Sequence, residues 1–256
     1  MTAVIADVLD GGRDLDLRPF NGFGGLQGGV VAAVALREMR AVATADLVPT
    51  EITAHLVRPV TEQLEVRADV AHEGRSLSLT TATVTSAGRT AATATAVLSA
   101  SRRPDVPTDP GRPPVVDFPL DRAERFAPPP EFVPISTRME LRLATTAVPF
   151  SGSPEPRLCA WIRLTERLED PWERLLVLAD ALPPSFSAVL TEMRMIPTVR
   201  TTVRFTPEVA TADAEWVLVE ATTADASSDG WHTEEIRVWT PEGVPLATSS
   251  QLRTIR

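Results

Sequence analysis

A twelve-residue pattern occurs twice in this chain, and internal self-similarity on that scale constrains a fold more than any single residue does. Val48-Pro49-Thr50-Glu51-Ile52-Thr53-Ala54-His55-Leu56-Val57-Arg58-Pro59 is answered by Ile196-Pro197-Thr198-Val199-Arg200-Thr201-Thr202-Val203-Arg204-Phe205-Thr206-Pro207. Pro49, Thr50, Thr53 and Pro59 recur as Pro197, Thr198, Thr201 and Pro207, all at an offset of 148. Downstream, Glu73-Gly74-Arg75 is matched by Asp229-Gly230-Trp231 and Ala87-Gly88-Arg89 by Glu242-Gly243-Val244, at offsets of 155 to 156. The second copy has therefore gained several residues in a loop. Two halves built alike are expected, and the differences between them point to the function.

Each half reads as one helix and a run of long strands. In the first half, Leu26 to Met39 is an Ala- and Gly-rich helix with its charges at the C-terminal end, introduced by the turn Asn21-Gly22-Phe23-Gly24-Gly25. So many small residues on most faces predict a helix wrapped closely by other backbone. Strands are expected near 51–58, 62–73, 76–86 and 90–100, the last two rich in Thr and Val. In the second half, strands near 137–143 and 157–165 precede a helix around Trp172–Leu182 that starts at Asp170-Pro171. Strands near 197–206, 214–224, 231–240 and 244–255 follow. Between the halves, the stretch from Arg102 to Pro134 carries ten prolines in 33 residues and reads as an extended linker. The expected division is an N-terminal unit 1–101, a linker 102–134 and a C-terminal unit 135–256.

Composition removes several functions. Net charge is −9, against a nucleic-acid partner. All 25 basic residues are Arg, and there is no Tyr, so no lysine acts as a Schiff base and no tyrosine as an acid. The single cysteine, Cys159, forms no intrachain disulfide and reads as a small core residue. No apolar run is long enough to span a membrane, and no signal peptide is visible at Met1-Thr2-Ala3-Val4, so a cytoplasmic protein is expected. No His/Cys cluster has metal-ligand spacing, and no cofactor is expected. His55, His72 and His232 each lie in or beside a strand-like segment, where ordinary strand residues are the commoner reading.

A helix wrapped by a curved antiparallel sheet, duplicated in one chain, resembles the double hotdog: an α+β fold of two helix-wrapped antiparallel sheets. Phe23-Gly24-Gly25-Leu26-Gln27-Gly28-Gly29-Val30-Val31, His55-Leu56-Val57-Arg58-Pro59 and Glu73-Gly74-Arg75-Ser76-Leu77 resemble phrases of the acyl-CoA thioesterase II family. So do Leu178-Ala179-Asp180, Pro197-Thr198 and Gly243 to Gln251, in the same order. The resemblance implies an acyl-CoA substrate and a homodimer. It also implies that Asp180, Thr198 and Gln251 hold the water that attacks the thioester, with Gly28, Gly29 and Arg58 lining the substrate. The family often has a His where this chain has Thr53, and His55 lies two residues later.

The residues themselves leave alternatives. Asp180 sits in the apolar run Leu175 to Leu182, where a carboxylate either faces water or is partnered. Gln251 reads as a site residue or as an ordinary polar strand residue. Their counterparts by offset are Ala32 and Ala96, as expected if only the second half carries chemistry. Thr198 matches Thr50, which the first half keeps, so a structural role stands equally beside a catalytic one. Two other functions remain open: a non-catalytic acyl-binding or scaffold protein, and a hotdog dehydratase or enoyl-CoA hydratase, which needs a His on a central helix that neither helix supplies.

Overall fold

The computed structural model describes residues 3–11, 15–43, 46–100 and 111–256. Three α-helices are present among these: α1 (Ile5–Leu9), α2 (Gly28–Val42) and α3 (Pro171–Ala179). The strands are β1 (Val48–Leu56), β2 (Leu64–Glu73), β3 (Leu77–Ser86), β4 (Arg89–Ser99), β5 (Arg125–Phe126), β6 (Met139–Leu143), β7 (Arg157–Leu164), β8 (Thr198–Phe205), β9 (Val217–Ala226), β10 (Trp231–Trp239) and β11 (Pro245–Thr254). The long strands fall where the Thr- and Val-rich segments were expected, with small shifts at their ends.

The halves do not form two separate sheets. All the strands join in one antiparallel sheet, in the order β2-β3-β4-β1-β8-β11-β10-β9-β7-β6-β5. The junction is β1 against β8, the strand that faces the middle in each half. Left apart, each would present a row of unpaired N–H and C=O groups, so pairing them removes two edges at once.

The β1–β8 ladder also corrects the repeat. It is centred on Thr53 opposite Thr202, flanked symmetrically by Glu51 opposite Arg204 and His55 opposite Arg200. Each strand carries one bulge, at Thr50 in β1 and at Val199 in β8. Thr53 to Thr202 and Thr50 to Val199 are both steps of 149. The matched letters at 148 are thus one residue out of structural register. In a strand, one residue reverses the face: Thr201 is buried, whereas Thr53 and Thr202 are half-buried on the other side and share a hydroxyl hydrogen bond of 3.0 Å. The structural counterpart of Thr198 is Pro49, so Thr50 says nothing about the role of Thr198.

Helix α2 is buried from Gly29 to Leu36 and again at Met39, as its small residues imply. It packs on the sheet through β2 and β3 and also against α3, which itself packs on the sheet through β7, β9 and β10, and the two helices run antiparallel. Gly29 meets Leu176 and Val177 at one end, and Arg37 and Arg40 pair with Glu173 and Asp170 at the other. Asp170 caps α3 by accepting from Trp172 N and Glu173 N, both at 3.0 Å, with Pro171 at the first helical position. The helix stops at Ala179, short of the expected Leu182. Pro183 and Pro184 cannot continue it and bias the residue before them away from helix. The side chain of Gln27 caps this end, donating to Val177 O at 3.2 Å and Asp180 O at 2.9 Å.

The first part of the Pro-rich stretch, 101–110, lies outside the described residues. Its later part is a strap. Asp117 N and Phe118 N donate to Ala144 O, and Phe118 O accepts from Trp161 Nε1 at 3.0 Å. Val116, Leu120 and Ala123 close over Ala144, Cys159, Trp161, Leu218 and Trp239, and β5 pairs with β6. Strand β7 is therefore covered on both faces, Leu158, Ala160 and Ile162 lying in the main core. Cys159 is a core residue as expected. Burial pushes its thiol up to about 12, which keeps it unreactive.

Candidate active site

Asp180 is the first residue past α3, at φ −102° and ψ 16°. Leaving the helix at this point lets its side chain cross to the N-terminus of α2. There Gly29 N donates to Oδ2 at 2.9 Å, and Gln251 Nε2 donates to Oδ1 at 3.1 Å. Gln251 Oε1 in turn accepts from Thr198 Oγ1 at 3.1 Å. The structure thus brings Asp180, Gln251 and Thr198 into one chain of hydrogen bonds, from two strands and the gap between two helices.

Electrostatics act on this carboxylate from both sides. Burial is the largest influence and raises its pKa above the ordinary Asp value, while Arg253, the Gly29 N–H and Gln251 lower it and Glu234 raises it again. The negative end of α3 disfavours the anion, whereas the positive end of α2 favours it. The side chain as a whole is 16% exposed.

Alternation along β11 and β10 supplies the rest of the site. Ala247, Ser249, Gln251 and Arg253 point inward on β11, as do His232, Glu234, Ile236 and Val238 on β10. Glu234 stands opposite Gln251, and His232 opposite Arg253. The guanidinium of Arg253 donates from Nε to Glu234 Oε2 at 2.6 Å and from Nη1 to Ile196 O at 3.3 Å, and its Nη2 lies 4.0 Å from Asp180 Oδ1. Glu234 Oε1 accepts from Ser185 N, and Ser185 Oγ bonds Thr223 Oγ1 at 2.9 Å. His232 packs on Phe186 with ring centres 5.2 Å apart. Both of its ring nitrogens are buried without a hydrogen-bond partner, and burial, then Arg253, hold it below the usual His pKa.

Arg253, Glu234, His232 and Gln27 were not among the residues expected from sequence. A signal existed for three of them. His and Glu in step with Ile236 and Val238, and Arg in step with Ala247, are polar residues on an apolar stripe.

The ladders show what the first half has instead. Ala96 pairs with Ile52 as Gln251 pairs with Thr201, so Ala96 is the counterpart of Gln251. By the same registers Leu98 answers Arg253, Thr80 answers Glu234 and Ser78 answers His232. Ser78 donates to His72 O and Thr80 to Ala96 O. Ala32, matched to Asp180 by the repeat, is buried within α2, and no strand ladder relates the two.

Gly28 and Gly29 differ in position. A side chain at Gly29 would meet the backbone of α3, so Gly29 serves the helix crossing and supplies an N–H. Gly28 is partly open, under Leu56 and beside Asp180 Oδ2. Arg58 is exposed beyond the end of β1 and joins none of the site's hydrogen bonds or ion pairs among the described residues. His55 and His72 are exposed on the strands, away from this network. Among the described residues, no group of His, Cys, Asp and Glu is arranged to hold a metal ion, and no helix is long and apolar enough to cross a membrane.

Solved structures share this architecture. A conserved protein of unknown function with a hot dog fold, from Alicyclobacillus acidocaldarius, matches with a TM-score of 0.79 at 24% identity, over 93% of this chain and 90% of that one. An acyl-CoA thioesterase II from Mycobacterium marinum matches with a TM-score of 0.73 at 16% identity, over 99% and 98%. The TesB protein of Mycobacterium avium subs. paratuberculosis matches with a TM-score of 0.70 at 16% identity, over 99% and 100%. The fold is therefore of the hot dog class. No curated protein matches the sequence. The acyl-CoA thioesterase N-terminal domain model matches residues 18–99, and the acyl-CoA thioesterase C-terminal domain model matches residues 107–255. The chain belongs to the acyl-CoA thioesterase family and is a thioester hydrolase.

Proposed function

We propose that the protein hydrolyses acyl-CoA to the free acid and CoA by direct attack of a water activated by Asp180. The carrying observation is the fixed chain from Thr198 through Gln251 to Asp180, ending on the Gly29 N–H. Burial raises the carboxylate's basicity toward that needed to take a proton at neutral pH. Gln251 and Thr198 fix its orientation, so the water it holds is aimed rather than merely present. As the water's oxygen bonds to the thioester carbon, its proton passes to Asp180, and the carbonyl oxygen takes the negative charge. The Gly28 N–H, at the first turn of α2 and beside Asp180, is the proposed donor to that oxygen. Collapse of the tetrahedral species expels the thiolate of CoA, which leaves as the thiol with the proton from Asp180.

In this reading the chain divides into units 1–101 and 135–256 joined by 102–134. The N-terminal unit is catalytically silent, because Ala96, Leu98, Thr80 and Ser78 stand where the second unit has its polar cluster. One active site per chain and a cytoplasmic homodimer complete the proposal.

The test is release of free thiol across a panel of acyl-CoA substrates, followed by rapid quench on the best of them. Product should accumulate linearly from the first turnover. A burst of acyl-enzyme equal to the enzyme concentration would show a covalent intermediate and remove the direct-water mechanism. Thiol release from none of the panel, with acyl-CoA still bound, would favour the binding-protein alternative.

A further inference from the structure

Arg253 and Glu234 form an ion pair inside the second half that the hydrolysis proposed above does not use. The pair is enclosed, with side-chain exposures of 6% and 1%. Two buried charges of this kind rarely add net stability over apolar residues of the same volume. The first half has uncharged residues in the equivalent places, with Leu98 for Arg253 and Thr80 for Glu234. The sheet therefore closes without the pair, and the pair occurs only in the half that holds Asp180.

Its geometry indicates what it acts on. Glu234 and Ile196 O fix two edges of the guanidinium, and the third edge faces Asp180 Oδ1 at 4.0 Å. Glu234 is itself held from behind by Ser185 N. A planar, permanently charged group clamped on two sides presents its charge at a fixed distance, which a free lysine would not do. We propose that Arg253 is a positioning residue for hydrolysis: clamped by Glu234, it holds a cation beside Asp180 so that the buried carboxylate stays ionised and able to accept a proton from water. This rests on the reading of Asp180 as the base.

The charged and titratable groups around Asp180 are few. Strand β11 contributes Arg253, and β10 contributes Glu234 and His232. Helix α2 contributes only backbone and Gln27 at this end, since its Arg37 and Arg40 are paired at the other. Burial, then Arg253, hold His232 below the usual His pKa.

The experiment is the pH dependence of kcat and KM for the full-length protein and four variants. Arg253→Met alone leaves Glu234 buried and unpaired, so the double variant Arg253→Met/Glu234→Gln, which removes both charges, is the principal test. Its acid limb should move up by about one pH unit or more, a loss of about tenfold on the acid side. KM should hold, and activity should recover to within a few-fold on the alkaline plateau. Arg253→Lys should restore part of the shift. His232→Phe, which removes the other titratable side chain beside Arg253, should leave the limb in place. A uniform fall at all pH values, or an unchanged acid limb in the folded double variant, overturns the proposal. Asp180→Asn run in parallel separates the two claims: if it keeps full activity, the hydrolytic reading itself fails, whereas an inactive Asp180→Asn beside an unshifted double variant sinks only the role of Arg253.

Discussion

Asp180→Asn should lower kcat by at least about a hundredfold, the usual scale for losing a general base, and should leave the protein folded and no less stable at neutral pH. The amide is isosteric with the carboxylate. Its oxygen can still accept from Gly29 N, and its NH2 group then faces Gln251. Rotating the Gln251 amide presents an acceptor to that NH2, and Thr198, whose hydroxyl both donates and accepts, meets the reversed amide. The hydrogen bonds survive and the base does not. Stability follows from the sign of the pKa shift. Burial raises the Asp180 pKa in the folded state above the value of 3.8 for a free side chain. Between that value and the raised one, the folded state binds more protons than the unfolded state, so stability falls as pH rises. Above the raised pKa both states are ionised and the full cost of burying the anion is present. The amide has no such cost. The variant should therefore match or exceed the parent in Tm at neutral pH, and the gap should close as pH falls through the raised pKa. Thermal unfolding at several pH values, together with kcat for thiol release, checks both halves. An active variant, or one that unfolds at neutral pH, would place Asp180 in a structural role.

The cost of burying a carboxylate also explains which parts of the site were legible in the sequence. Asp180 stood out because a carboxylate in the run Leu175 to Leu182 violates the local apolar pattern. Gln251 stood out because its counterpart in the repeat is alanine. The strands were legible for the same reason as in any sheet, through alternation and β-branched residues, and α2 through its small residues. Other features depend on what the letters do not carry. The end of α3 is set by two prolines and by Gln27, a side chain from 150 residues away, bonding Val177 O. Exact register was hidden because Pro-Thr recurs one residue away from the structural match, and the bulges at Thr50 and Val199 conceal the slip. That slip made Thr50 look like the partner of Thr198 and obscured the proline, Pro49, that stands in its place in the first half. The fusion into one sheet is a matter of which edges meet, and pairing β1 with β8 needs no special residue. Arg253 and Glu234 were passed over because in a linear reading each is an ordinary charged residue of a strand; only the inward face shared with Ile236 and Ala247 marks them.

Gly29→Ala should be the most damaging glycine-to-alanine change among the described residues. The added carbon would lie 2.4 Å from Leu176 O, 3.0 Å from Val177 Cα and 3.0 Å from Asp180 Cβ. Two of these atoms belong to the α3 main chain, so a side-chain rotation cannot make room. Two effects compete. Alanine is the better helix former by about 1 kcal/mol, whereas overpacking a tight interior costs about 1–3 kcal/mol and more when backbone must move. The contact wins here, because Arg37 to Glu173 and Arg40 to Asp170 tether the far ends of the two helices and oppose their separation. The net loss should be about 2 kcal/mol, a fall in Tm of roughly 5 °C for a chain of this size. Moving α3 also carries Asp180 away from the Gly29 N–H and strains the bonds of Gln27 to Val177 O and Asp180 O. Activity should therefore drop by tenfold or more even well below the new Tm, since displacing a catalytic group by about 1 Å is enough to cost two orders of magnitude. The neighbouring change provides the control. A methyl at Gly28 would meet Leu56 Cδ1 at 2.7 Å and Asp180 Oδ2 at 3.1 Å. The first is the tip of a side chain that can turn away, so Gly28→Ala should fold with nearly parental stability and lose activity through crowding of the carboxylate. Differential scanning calorimetry and thiol-release assays on the two variants should separate them, with Gly29→Ala low in both and Gly28→Ala low in one. Parental Tm for Gly29→Ala would mean that the helices cross less closely than this and that the N–H of Gly29 does not hold Asp180 in place.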